Sequence, residues 1–570
     1  MNKIDIVYQI AEFCSEYGIK NAVICPGSRS APLTISFVRN KKIKSRLVFD
    51  ERSAAYIALG MAQLSGQPTV LICTSGTAAL NFAPAVAEAY WQQVPLLVLT
   101  GDRPPEWIGQ GDGQTIRQGH IYQHNVKAFF ELAVDKTHRD ARWMFERTLN
   151  EALSKLFTSP AGPIHINVPV REPFYPPLNE NWNFEYQLKK IELIETQASL
   201  TKEQWDKVIT LLLSSDKICL LSGHMLPNKI LCKVVETFTD LSKIPLIADI
   251  NSNLHAASTL VGYADILLSS VSDDTKVLLA PDIIISFGNE FVSKSTKQYF
   301  RIHKPKVHIH ISENDAWVDT FQSVTHFLKI SPTYFFTELI NKIRIKANKD
   351  FAQRWGSLSK QVQSSIFEYI ENQEFSELKS AAMALDSLPP NSVLHLANSL
   401  PVRYATIFGV DPSVDVFCNR GTSGIDGSVS AALGNALQTD RPVTLLTGDV
   451  GFLYDKNGLW HQFLPSNLKI IVINNEGGAI FRTVEGAKDQ PELEEYFVGN
   501  QTFDIKSVAI SMGLEYLYAS DLMSLNIQLH NLYKTDKRAT LLEIKTDGKQ
   551  AAQKLFELKS KVKKDLENKI

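Results

Sequence analysis

The sequence predicts an α/β fold built from three doubly wound parallel-sheet domains. At 570 residues the chain exceeds what one hydrophobic core covers. Short, continuous apolar runs alternate with helical periodicity, the pattern of parallel strands covered on both faces. That rhythm occurs in three blocks of comparable size, 1–180, 190–345 and 375–570.

In the first block, Asp5 to Tyr17 has helical spacing and Gly18 stops it. Ala22 to Cys25, Thr69 to Thr74, Pro95 to Thr100 and Ile164 to Val168 read as buried strands. Pro173 to Asn183, rich in Pro and Asn, reads as a linker. The middle block repeats the pattern with strands at Ile218 to Ser222, Pro245 to Asp249, Asp282 to Phe287 and Lys306 to Ile311. No Gly-x-Gly-x-x-Gly follows any of them, so this domain is Rossmann-like without a dinucleotide fingerprint. A polar helical stretch near 342–385 leads into the third block, and Gln553 to Ile570 reads as a solvated helix.

The formal net charge of -2, with 21% charged residues, argues against a nucleic-acid binder or a membrane-surface protein. No apolar run is long enough to span a bilayer. Met1 to Ile6 reads as the start of an amphipathic helix, not a signal peptide. The six cysteines are scattered without a Cys-x-x-Cys pair and read as free thiols of a reducing cytoplasm. His165, His308 and His310 sit in strands and read as satisfied sheet residues, without metal-ligand spacing.

The third block carries the strongest chemical signal. An apolar run from Pro442 to Thr447 ends in Gly448-Asp449, and a second from Lys469 to Ile473 ends in Asn474-Asn475. A right-handed crossover puts both strand ends on one sheet edge. Asp449 and Asn475 can then converge on a hard cation, while Gly448, Gly477 and Gly478 let backbone approach an anion. One carboxylate, one amide oxygen and one backbone carbonyl make an incomplete cage for Mg²⁺, which fills its octahedron with phosphate oxygens and water. The plainer alternative is two loops with Asp449 capping a helix.

This Gly-Asp…Asn-Asn pattern resembles the thiamine diphosphate motif, with Val450 where many such enzymes have a second Gly and Glu476 as an extra acid. Glu51 then acquires a second reading. It precedes a helix of small residues, Ser53 to Gly60, and by itself is simply an acid at a helix N-terminus. Thiamine diphosphate chemistry needs a carboxyl group hydrogen-bonded to the aminopyrimidine ring. Enzymes of that class carry this Glu on the first module and Gly-Asp…Asn-Asn on the last, as here.

Further motifs narrow the resemblance. Cys25-Pro-Gly-Ser-Arg-Ser-Ala-Pro-Leu-Thr34, Thr74-Ser-Gly-Thr-Ala78, Thr100-Gly-Asp-Arg-Pro-Pro105, Asn419-Arg-Gly-Thr-Ser-Gly-Ile-Asp-Gly427 and Asn474 to Phe481 together span essentially the whole chain. It resembles the family of 2-succinyl-5-enolpyruvyl-6-hydroxy-3-cyclohexene-1-carboxylate synthases, thiamine diphosphate enzymes of menaquinone biosynthesis. The resemblance implies decarboxylation of 2-oxoglutarate and 1,4-addition of the resulting carbanion to isochorismate. Both substrates are dianions, which favours Arg as the recognition residue. Any single Arg is ordinarily a surface ion pair; four of them, Arg29, Arg103, Arg403 and Arg420, fall in or beside these motifs.

By resemblance, Ser399, Arg403 and Arg420 hold 2-oxoglutarate, and Ser28, Arg29, Arg103 and Gln114 face isochorismate. Lys294 stands where relatives carry a Lys-Arg pair. Glu51, Thr74, Gly424, Ile425, Gly448, Asp449, Ile480 and Phe481 line the cofactor, with Ile425 beneath it (as sequence alone, equally ordinary core) and Ile480 and Phe481 walling the reacting centre. Asp449, Asn475 and Gly477 hold Mg²⁺, or Mn²⁺ in its place. A cytoplasmic homodimer or homotetramer with intersubunit active sites is implied. Two other readings compete: a different thiamine diphosphate-dependent 2-oxo acid decarboxylase or carboligase, and an inactive sensor that binds the cofactor.

Overall fold

The computed structural model describes residues 6–172, 174–176, 187–314, 317–502, 504–534 and 537–568. Most of the passage expected as a linker, Pro173 to Asn183, lies outside the described residues, as do residues 1–5.

Among the described residues the strands form three wholly parallel sheets. The first contains β1 (Asn21–Ile24), β2 (Lys44–Leu47), β3 (Thr69–Cys73), β4 (Leu96–Asp102), β5 (Ala128–Glu131) and β6 (Ile164–Pro169), in the order β2-β1-β3-β4-β6-β5. The second contains β7 (Ile218–Ser222), β8 (Leu246–Ala248), β9 (Ile283–Phe287), β10 (Val307–Ile311) and β11 (His326–Leu328), in the order β11-β10-β9-β7-β8. The third contains β12 (Val393–Leu396), β13 (Asp415–Cys418), β14 (Val443–Gly448), β15 (Leu468–Asn474), β16 (Glu515–Ala519) and β17 (Thr540–Lys545), in the order β13-β12-β14-β15-β17-β16. Numbered from its own first strand, the third sheet has the same order as the first. In both, the winding reverses between the first and third strands. A crevice opens beyond the carboxyl ends at such a reversal, the usual ligand position in an open α/β sheet.

The central strands are the buried apolar runs that the sequence marks; β3, β4 and β9 are buried along their length. Three helical expectations need correction. The first helix is a 3₁₀ turn, Ile6–Gln9, followed by a short α-helix, Ile10–Glu16. The polar stretch before the third sheet is two helices, Lys349–Glu371 and Glu377–Asp386. The C-terminal helix Gly548–Glu567 is not solvated all round: Leu555, Leu558, Val562 and Leu566 lie on one face and are buried. Their spacing of three or four residues makes the helix amphipathic despite its Lys and Glu content.

The chain divides into two compact units. The first comprises Met1–Thr196 with Asn419–Asp440 and Tyr454–Pro465; the second comprises Gln197–Cys418, Arg441–Leu453 and Ser466–Ile570. Within the first, helix Glu51–Ser65 packs backbone to backbone on helix Ser428–Ala436. A Cβ on Gly60 would lie 2.0 Å from the Ala431 carbonyl oxygen, and one on Gly434 would lie 2.2 Å from that of Ile57. Asn435 Nδ2 donates to the Gly60 carbonyl at 2.8 Å. Gly434→Val is therefore expected to destabilise the protein by about 3 kcal/mol, the upper part of the overpacking range. Thermal unfolding checks this; an unchanged unfolding temperature would contradict the close crossing.

Candidate active site

In the first unit, four neighbouring strands present candidate residues at their carboxyl ends. Ser28 and Arg29 follow β1, Glu51 opens the helix after β2, Thr74 follows β3 and Arg103 follows β4. The loops interlock: a Cβ on Gly27 would overlap the Thr74 side chain at 2.3 Å, and one on Gly101 would lie 2.9 Å from the Arg29 carbonyl oxygen. Arg29 donates to the Val170 carbonyl at 3.2 Å and stacks over Phe174, 4.4 Å from the ring centroid. Arg103 pairs with Asp112 and donates to Ser75 Oγ at 3.1 Å and to the Gln114 carbonyl at 3.2 Å. Burial, then the nearby Arg103 charge, lowers the pKa of the Arg29 guanidinium. The two guanidinium groups thus stand close enough for their charges to act on one another.

Glu51 is half-buried. Asp50, not Glu51, caps the helix, accepting from the Ser53 N–H at 3.1 Å. The Glu51 carboxylate lies near two thiols: burial and then Glu51 hold the Cys25 pKa well above its ordinary value, and burial, Cys25 and Glu51 do the same for Cys73. The loop with Arg420, Gly424 and Ile425 belongs to this same unit. Tyr56, on the Glu51 helix, donates to Asp426 Oδ2 at 2.7 Å, and its ring covers Gly427. The loop is also gripped by Glu88, fully buried, which accepts from the Gly421 and Thr422 N–H groups at 2.6 and 2.7 Å. Arg420 is buried, whereas Ile425 is 39% exposed and so is not ordinary core within this unit.

In the second unit, the candidates gather beyond three adjacent strands of the third sheet: Ser399 after β12, Gly448 and Asp449 at the end of β14, and Asn475 and Gly477 after β15. Ser399 has φ 78 and starts helix Leu400–Phe408; Arg403, exposed one turn on, donates to the Ser399 carbonyl at 2.6 Å. Asp449 is buried, and its carboxylate accepts from the Val450 N–H at 2.7 Å and the Gly477 N–H at 3.0 Å. Burial pushes its pKa up to about 6, against those N–H groups and the Lys545 charge. The two asparagines divide their tasks. Asn474 Nδ2 donates to Glu543 at 2.6 Å and its Oδ1 accepts from the Glu476 N–H at 3.2 Å, fixing the turn. Asn475 Nδ2 donates to Glu377 Oε2 at 2.9 Å, and its Oδ1 is buried without a hydrogen-bond partner among the described residues.

Glu476 forms an ion pair with Lys545 at 2.6 Å. Ile480 packs on the main core of this unit, and Phe481 packs on Phe497 at 5.7 Å between ring centroids. Lys294 is exposed and faces Glu485 at 3.5 Å, near the segment that follows Phe481. Sequence reasoning missed Glu88 and Glu377. Each is a buried acid that holds a motif loop, and neither stands in a motif itself.

These residues fit thiamine diphosphate. Asn475 Oδ1 is a buried acceptor, and it and Thr74 Oγ1 have no hydrogen-bond partner among the described residues, as groups that meet a ligand would. Among the described residues no three His, Cys, Asp or Glu side chains cluster as a metal site; the candidate donor set here is one carboxylate, one amide and one carbonyl.

The fold and both residue sets define a thiamine diphosphate-dependent enzyme. Residues 4–125 match the family model for the thiamine pyrophosphate enzyme N-terminal TPP binding domain, 177–396 the middle domain of thiamine pyrophosphate, and 401–544 the C-terminal TPP binding domain. The chain is 41% identical over 547 residues to the 2-succinyl-5-enolpyruvyl-6-hydroxy-3-cyclohexene-1-carboxylate synthase of Cytophaga hutchinsonii, covering 95% of this chain and 96% of that one. It is 38% identical to the synthase of the same name from Flavobacterium johnsoniae (95% and 96% covered) and 36% to that from Flavobacterium psychrophilum (96% and 97%). The chain belongs to the 2-succinyl-5-enolpyruvyl-6-hydroxy-3-cyclohexene-1-carboxylate synthase family.

Proposed function

We propose that this enzyme decarboxylates 2-oxoglutarate and adds the resulting four-carbon unit to isochorismate, in menaquinone biosynthesis, with Mg²⁺ (or Mn²⁺) as the metal that accompanies thiamine diphosphate. The observation that carries the reading is the grouping beyond β12, β14 and β15: Asp449 and Asn475 suit a metal, and the helix beside them carries Arg403 for an acidic donor. Thiamine diphosphate, when bound, supplies the nucleophilic carbon and the electron sink. Asp449, Asn475 and the Gly477 carbonyl hold the metal. Glu51 would hold and share a proton at the aminopyrimidine ring of the bound cofactor. Ser399, Arg403 and Arg420 take the two carboxylates of 2-oxoglutarate; Ser28, Arg29, Arg103 and Gln114 take those of isochorismate, and Lys294 adds a further positive charge. Ile480 and Phe481 keep water from the reacting centre, so that the second substrate outcompetes simple protonation. Gly424, Ile425, Gly448 and Thr74 line the cofactor. The working form is a homo-oligomer with sites shared between subunits, in a reducing cytoplasm that suits six free cysteines.

The test combines purified protein, Mg²⁺, thiamine diphosphate, 2-oxoglutarate and isochorismate. Isochorismate absorbance is expected to fall in step with carbon dioxide release. Carbon dioxide without isochorismate consumption would instead indicate a plain decarboxylase, and cofactor binding without turnover would indicate a sensor. The two pockets separate by mutation. Arg403→Ala is expected to raise KM for 2-oxoglutarate about 10- to 100-fold, the worth of a hydrogen bond to a charged group, and to move KM for isochorismate far less. Arg103→Ala is expected to do the reverse. Equal effects in steady-state kinetics would overturn the assignment.

A further inference from the structure

We infer that Glu377 is a positioning residue for the metal site: it fixes the Asn475 side chain so that its amide oxygen, and not its nitrogen, is presented to the cation. The inference rests on the reading above that Asn475 is a metal ligand. Glu377 is 1% exposed and lies far from the motif in sequence, 98 residues before Asn475. It is the first residue of helix Glu377–Asp386, whose cap is Ser376. Three groups donate to its carboxylate: Tyr404 Oη at 2.8 Å to Oε1, Asn475 Nδ2 at 2.9 Å and Thr546 Oγ1 at 3.3 Å to Oε2.

A carboxylate only accepts hydrogen bonds, so the amide facing it must offer its NH₂. The carbonyl oxygen is then turned away from Glu377, and it is the atom that is buried without a donor among the described residues. Without Glu377 the amide is free to flip, and half of its orientations would point two N–H donors at a divalent ion. Tyr404 adds a mechanical link. It neighbours Arg403 on helix Leu400–Phe408, so one carboxylate ties the metal loop to the helix of the proposed 2-oxoglutarate pocket. A buried acid that merely joins helix to sheet would need none of this polarity of arrangement.

The experiment is calorimetric titration of thiamine diphosphate into the full-length protein at graded Mg²⁺, giving the half-saturating Mg²⁺ concentration without reference to turnover. Glu377→Ala is expected to raise that concentration about 10- to 100-fold, the usual cost of losing a partner behind a metal ligand. Glu377→Asp keeps the charge but withdraws it by one methylene, and is expected to behave like Ala. Glu377→Gln keeps the length and an acceptor oxygen, and is expected to stay within about threefold of the native value, since hydrogen-bond geometry rather than charge is what it preserves. A native Mg²⁺ requirement in folded Glu377→Asp, or equal losses in the Gln and Asp variants, would overturn the inference. Should the Ala variant fail to fold, the Asp and Gln pair decides alone. Asp449→Ala, run alongside, separates this from failure of the metal assignment: if that variant binds the cofactor with native Mg²⁺ dependence, the metal site itself is wrong and Glu377 has nothing to position.

Discussion

Glu51→Gln is expected to bind thiamine diphosphate as tightly as the native enzyme and to lose about 10²- to 10⁴-fold in kcat, the range attributable to a positioned proton-sharing group. The plainer account, an acid that steadies a helix N-terminus, makes a different forecast: at most about 1 kcal/mol of stability and no change in turnover. Capping leaves little for Glu51 to do, because Asp50 already caps the helix and Glu51 adds no side-chain cap. Its charge acts with burial to hold the Cys25 and Cys73 thiols above their ordinary pKa. Gln preserves shape and hydrogen-bonding capacity but cannot share a proton. Steady-state kinetics with a parallel cofactor titration checks the split, and native kcat in the variant would remove Glu51 from its role.

Asp449→Ala is expected to weaken Mg²⁺-dependent cofactor binding by more than about 100-fold, because even partners behind a ligand cost 10- to 100-fold. Asp449 is a buried acid whose pKa is pushed up to about 6 by that burial, and Lys545, the charge that pulls the other way, is engaged with Glu476. An acid with a raised folded-state pKa costs stability when ionised at neutral pH. Its removal is thus expected to shift the unfolding temperature of the metal-free protein by no more than about 4 °C. The diagnostic is the crossing of the two results: stability kept, cofactor stabilisation by Mg²⁺ lost. Unchanged affinity would refute the metal assignment.

Ser28, Arg29, Thr74, Arg103, Ser399, Asp449 and Asn475 follow strands buried along most of their length, and such strands announce themselves as unbroken Val, Ile and Leu runs; Glu51 instead follows the exposed edge strand β2 and was read from its motif partners. Asp449 and Asn475 immediately follow β14 and β15, so the two apolar runs alone put them on one sheet edge. The edge strands β2, β5 and β11 were invisible for the converse reason. They are only three or four residues long, and none is fully buried. Glu377, at a helix start, and Glu88, within helix Ala83–Gln92, were invisible because a helical acid looks solvated until its partners, 98 and 333 residues away, are known. Likewise nothing in the local pattern of residues 419–440 and 454–465 tells that they complete the first compact unit and not the second.

That last feature bears on how the protein is made. Helix Glu51–Ser65 leaves the ribosome early, yet its small-residue face fits helix Ser428–Ala436, which is translated several hundred residues later. N-terminal domains commonly fold first during synthesis; here the seam of alanines and Gly60 on that helix stays uncovered until most of the polypeptide has emerged. Premature termination anywhere before residue 428 therefore yields no smaller working version of the first unit, only an unfinished one.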